Sequence, residues 1–81
     1  MIPEKDILFR CNPESTHLFA DWAFNRIFKV FTEPEHINGL YKFTGLFIKD
    51  RYLYGFHRIA PNDLLPVTED ELIMEVLGHD S

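Results

Sequence analysis

PESTHLFADWAFNRIFKVF, residues 13–31, decides the fold, because its apolar residues fit two different periods. On a helical wheel Phe19, Ala20, Ala23, Phe24, Ile27, Phe28, Val30 and Phe31 fill one continuous arc of about 180°. Asp21, Asn25, Arg26 and Lys29 fill the opposite side. The rival reading breaks the chain near Asn25 and makes RIFKVF (residues 26–31) a strand, which its β-branched and aromatic content permits. Alternation in that run is poor, since Ile27 and Phe31 would share a face with Lys29. The periodicity therefore predicts one helix from Pro13 to about Phe31, with Phe24, Ile27 and Phe31 buried. Asn12 is placed to cap it, Pro13 suits its first position and Glu14 complements its dipole. TEPEHING (residues 32–39), with Pro34 and an Asn-Gly pair, ends it.

Outward from this segment the chain alternates strand and helix signals. ILFRC (residues 7–11) is a short apolar run bounded by Asn12-Pro13 and predicts a strand. LYKFTGLFI (residues 40–48) and YLYGFHRI (residues 52–59) predict an antiparallel hairpin. With Asp50 and Arg51 as the loop, Ile48 faces Leu53, Phe47 faces Tyr54 and Gly45 faces Phe56, whose ring can lie across the glycine backbone. One face then carries Tyr41, Phe43, Phe47, Tyr52, Tyr54 and Phe56, and the first helix is the obvious cover for it. APNDLLP is a constrained connection with Pro61 and Pro66. VTEDELIMEVLG (residues 67–78) predicts a second helix, with a Thr68/Glu71 capping box, a Val67–Leu72 staple, Gly78 just past its end and a buried stripe of Leu72, Ile73, Val76 and Leu77. The expected architecture is a single small α+β domain in the order β-α-β-β-α: a small antiparallel sheet, made of a hairpin plus a short N-terminal strand, packed by two helices.

Eighty-one residues bury only a modest core, and 15% aromatic content compensates through large side chains. A chain this small struggles to hide every ring, so a homodimer or an obligate partner is an expectation of equal weight with a monomer. The single cysteine, Cys11, excludes an internal disulfide and points to a reducing compartment. The N-terminal MIPEKDILFRC lacks the basic start and apolar run of a signal peptide, and no apolar run is long enough to span a bilayer. The expected location is the cytoplasm.

Net charge is −5, which disfavours general binding to nucleic-acid phosphates. The excess sits in residues 60–81, where Asp63, Glu69, Asp70, Glu71, Glu75 and Asp80 face no lysine or arginine. Glu69, Asp70 and Glu71 suit the first turn of a helix, and the remaining acids are free to steer the chain onto a basic surface. Trp22 falls outside the apolar arc, beside Lys29 and Leu18 and near Arg26, and so forms an apolar spot within a charged face.

Catalytic and metal chemistry find little support. His17, His36, His57 and His79 show no local ligand spacing with one another or with Cys11, so no metal or cofactor is expected. Cys11 ends an apolar strand, where a thiol behaves as a small hydrophobe. The expected function is a small acidic, non-enzymatic protein-binding module that inhibits or adapts a larger complex. Its sharper form is a virus- or mobile-element-encoded antagonist of a host nucleic-acid-handling machine. The expected contact residues are Leu18, Trp22, Arg26, Asp63, Glu69, Asp70, Glu71 and Glu75, meeting a protein partner with a basic surface. One alternative is a single-stranded nucleic-acid contact through the hairpin aromatics with Lys42, Lys49, Arg51 and Arg58. Another is a small enzyme or subunit centred on Cys11 and His57, with Asp63 or Asp21 as the orienting acid.

Overall fold

The structure is a computed structural model and is described here for residues 1–16 and 18–77, without the side chain of Val76. It corrects the expected β-α-β-β-α order. Six strands dominate: β1 (Leu8–Cys11), β2 (Phe28–Val30), β3 (Glu35–Ile37), β4 (Leu40–Phe47), β5 (Tyr52–Ile59) and β6 (Leu64–Pro66). They form one antiparallel sheet, followed by the one α-helix among the described residues, α1 (Glu69–Leu77). Two isolated 3-10 turns, Asp21–Ala23 and Pro61–Asp63, punctuate the connections.

The expected helix over Pro13–Phe31 is not there. Asn12 does initiate a turn, its Oδ1 accepting from the Glu14 N–H at 3.0 Å and its carbonyl from the Ser15 N–H at 2.9 Å. The chain then runs on as a connection that takes a positive φ of 64° at Asn25. β2 follows, bonded on one side to β1 (Phe9 opposite Phe28) and on the other to β4 (Phe28 opposite Phe47, Val30 opposite Gly45). Pairing on both edges outweighs a helical propensity that Phe, Val and Ile hold only weakly. Phe28 and Val30 face the core. Ile27 is also buried, Phe24 only half so, and Phe31 is 46% exposed.

Strand β3 falls where an interruption alone was expected. Asn38-Gly39, with φ of 51° and 81°, makes the two-residue turn of a tight β3–β4 hairpin. β2 and β3 lie along the same edge of β4, since β5 pairs with β4 over the same stretch on the other edge. Between them the sheet contact continues, with the Phe31 N–H donating to Thr44 O at 2.8 Å and the Thr44 N–H to Thr32 Oγ1 at 2.9 Å. The β4–β5 hairpin is present with Phe47 opposite Tyr52 and Gly45 opposite Tyr54, two residues from the expected register. A shift of two keeps every side chain on its face. Arg58 has a φ of 54° beside an irregularity in the pairing, and this brings both Phe56 and Ile59 inward although they are three residues apart.

The sheet curls on itself. β1 and β5 are three strands apart, about 14 Å in a flat sheet, yet the Phe9 and Phe56 ring centroids are 5.2 Å apart. Phe9, Phe28, Phe43, Phe47 and Phe56 fill the interior with Cys11, Val30, Ile59 and Leu64. The long β1–β2 connection adds Phe19 and Ala23 to this core. The cover of the aromatic face is therefore the sheet's own curl plus this connection, not a helix.

Helix α1 forms as expected, with the Glu71 N–H donating to Thr68 Oγ1 at 3.2 Å and the Thr68 hydroxyl to Glu71 Oε1 at 3.3 Å. Its buried stripe does not materialise: Leu72 is half-buried, and Ile73 and Leu77 are exposed. The Val76 side chain and Gly78 lie outside the described residues. Among the described residues no helix is long and apolar enough to cross a membrane.

Candidate aromatic contact site

The start of the β1–β2 connection is tied down by the turn before β6. The Asn12 N–H donates to Asp63 O at 2.9 Å and Asn12 Nδ2 to Asn62 O at 2.8 Å. The buried Ser15 hydroxyl donates to Asp63 Oδ1 at 2.7 Å, while Asp63 Oδ2 accepts from the Ala60 N–H at 2.8 Å. Further along, the 3-10 turn places Ala23 inward with no exposed surface and so sends Trp22 over the end of the β4–β5 hairpin.

Trp22 stacks on Phe47 with centroids 5.6 Å apart and planes 28° apart. It stands nearly perpendicular to Tyr54 (5.3 Å, 86°) and to Tyr52 (6.2 Å, 77°). Trp22 nonetheless stays 42% exposed and Tyr52 55%. Trp22, Phe47, Tyr52 and Asp50 line an open hollow of about 360 Å³. Asp50 is exposed and forms no ion pair among the described residues; its neighbours Lys49 and Arg51 do not line the hollow.

The other expected contact residues lie away from this hollow. Leu18 is half-buried against the core, Arg26 is half-buried, and neither lines the hollow. Asp63 has both carboxylate oxygens engaged in holding the connection, as described above. Glu69 and Asp70 are exposed at the start of α1. Glu71 Oε2 sits 2.9 Å from Arg10 Nε, a charge contact whose N–H is not aligned for a hydrogen bond. Three of these acids do come together: Asp70, Glu71 and Glu75 line, with Arg10, Asn25, Ile27 and Met74, a second open groove of about 510 Å³ between α1 and the outer face of the sheet. The acids of residues 60–81 thus form no single surface with Trp22, and Asp80 lies outside the described residues. Phe47 and Tyr52 were read as part of the aromatic hairpin face, but Asp50 and the grouping of all three with Trp22 escape a sequence reading because they meet Trp22 only through the folded connection. Their signal was two aromatics flanking an acid-bearing hairpin turn.

The alternatives meet different fates in the geometry. Cys11 faces the core at 2% exposure, and burial pushes its thiol up to about 12. His57 lies on the opposite, outer face of β5, its ring across Gly55. These two side chains are not brought together. Of the hairpin aromatics, Phe43, Phe47 and Phe56 are buried, so the expected stacking platform is not presented whole. A separate hollow of about 270 Å³ is lined by Tyr41, Lys42, His57 and Arg58, with His36 stacked on Tyr41 at 4.4 Å. His17 and His79 lie outside the described residues, among which no cluster of three metal-ligating side chains occurs. Comparison with protein families, characterised proteins and solved structures returns no match to this chain.

Proposed function

We propose that this chain is a non-enzymatic protein-binding module, an adaptor or inhibitor of a larger complex, and that its contact surface is the patch of Trp22, Tyr52 and Asp50. One observation carries the reading: an indole braced by the rings of Phe28, Phe47, Tyr52 and Tyr54 is still 42% exposed. A tryptophan held rigidly at the surface loses little conformational entropy on binding, and this residue type dominates interface energetics. Selection of peptides from a random display library on the immobilised domain tests it. Enriched peptides should bind wild type and lose at least about tenfold in affinity on Trp22→Ala, the effect of a hot-spot side chain. Peptides that ignore Trp22→Ala move the interface elsewhere.

A second reading has its own observation. The His36–Tyr41 stack beside Lys42, His57 and Arg58 suits a single-stranded nucleic acid, with a base on the ring and phosphates on the cations. Oligonucleotide binding that weakens with salt and is lost on Arg58→Glu supports it. Binding unchanged by that substitution dismisses it.

A further inference from the structure

Resting on the protein-binding reading, we infer that the Trp22 hollow receives a lysine side chain of the partner, carrying one or two methyl groups on its ε-nitrogen. The hollow combines an indole and a phenol set at 77° to each other with a carboxylate, Asp50, that has no ion-pair partner among the described residues. Aromatic faces attract cations through their quadrupole, and an adjacent carboxylate adds to the attraction. A neutral guest would leave Asp50 without a partner and so forgo this attraction.

The ring angle selects the shape of the cation. A planar guanidinium stacks well on one ring and meets the other at its edge. A tetrahedral ammonium presents a similar surface to both rings. Hydration selects its substituents. An unmodified ammonium is strongly hydrated and resists transfer to an aromatic hollow. Each methyl group removes one N–H from water and adds apolar surface against Trp22 and Tyr52. A third methyl removes the last N–H, the donor that Asp50 accepts from. One or two methyl groups satisfy both the rings and the carboxylate.

The test uses blocked lysine (Nα-acetyl-lysine methylamide) with zero, one, two or three ε-methyl groups. Its comparison compounds are the arginine equivalent and a neutral analogue with a tert-butyl group in place of the ammonium. Trp22 is the only tryptophan, so its fluorescence and its indole N–H signal report the site directly. The dimethyl compound should bind saturably, about two- to fivefold more tightly than the neutral one, the fold-change of an exposed cation–π contact, and more tightly than the unmodified one, whose ammonium is more strongly hydrated. Asp50→Asn should weaken it by a similar factor with thermal stability unchanged. Tyr52→Leu should weaken the dimethyl compound and leave the neutral one nearly unaffected. Equal binding of the neutral analogue, tighter binding of the arginine compound, or an Asp50→Asn variant that binds as wild type overturns the inference. If the series fails while display-selected peptides still require Trp22, the protein-binding reading stands and only the cation assignment falls.

Discussion

Gly45→Ala is the substitution on which the seating of the Phe56 ring can be judged. A Cβ at this position would lie 2.5 Å from Phe56 Cε2, 3.0 Å from Phe56 Cδ2 and 3.4 Å from Phe9 Cζ. Carbon atoms pack at about 3.5–4.0 Å, so the nearest contact falls short by about 1 Å or more. The Phe56 ring cannot simply step aside. It is held at 5.1–5.2 Å by Phe9, Phe28, Phe43 and Tyr54 and at 5.9 Å by Phe19. Overpacking of this kind costs about 1–3 kcal/mol. Removing glycine's freedom from the unfolded chain offsets about 0.4–1 kcal/mol of that where the backbone suits alanine. A contact this short calls for at least mid-range overpacking, which leaves a net loss of about 1–2.5 kcal/mol, equivalent to a fall in Tm of about 4–20 °C for a domain of this size. Urea unfolding followed by circular dichroism measures it, with the denaturant slope expected to stay constant. Phe56→Leu in the same background supplies the second arm. Shortening the ring relieves the clash, so the double variant should be more stable than the sum of the single effects by about 1 kcal/mol. A Gly45→Ala protein within about 0.5 kcal/mol of wild type, or strict additivity in the cycle, would refute the placement of Phe56 over Gly45.

Three further outcomes are expected. Phe28→Ala should cost about 3–5 kcal/mol as a fully buried ring, whereas the exposed Phe31→Ala should cost under about 1 kcal/mol; similar losses by chemical denaturation would favour a helix burying both. Asp63→Ala should destabilise by about 1–3 kcal/mol by stranding the buried Ser15 hydroxyl and the Ala60 N–H, and weakened binding with unchanged stability would return Asp63 to recognition. Cys11 should resist a disulfide reagent at pH 8 until urea unfolds the chain. Because burial raises its pKa from 9.0 to about 12, the unfolded thiol ionises first, so stability should fall across that window more steeply in wild type than in Cys11→Ala.

Much of the local grammar was legible in the residues alone. The strand before Asn12, the hairpin from Leu40 to Ile59 and the capped helix after Thr68 all follow from alternation, turn chemistry and capping, which act between near neighbours in the chain. Asn38-Gly39 carried an equally local signal for the β3–β4 hairpin, yet it served here only as a helix stop. Residues 13–31 were different. Their apolar arc was real, but Ile27 and Phe31 share one sheet face with Lys29 while Phe28 and Val30 share the other, a pattern that a wheel cannot separate from a helix. Only hydrogen bonding to β1 on one side and β4 on the other decides it, and those partners lie up to about 20 residues away in the chain. The site shows the same division. Trp22 was visible as a tryptophan out of place on a charged face. Its neighbours Phe47, Asp50 and Tyr52 became a site when the folded β1–β2 connection laid Trp22 over the hairpin end, and Asp63 became a structural acceptor through contacts spanning 48 residues. Composition and local periodicity specify what each segment can form, while long-range pairing selects among those forms, because edge hydrogen bonds and ring packing contribute free energy only when distant segments meet.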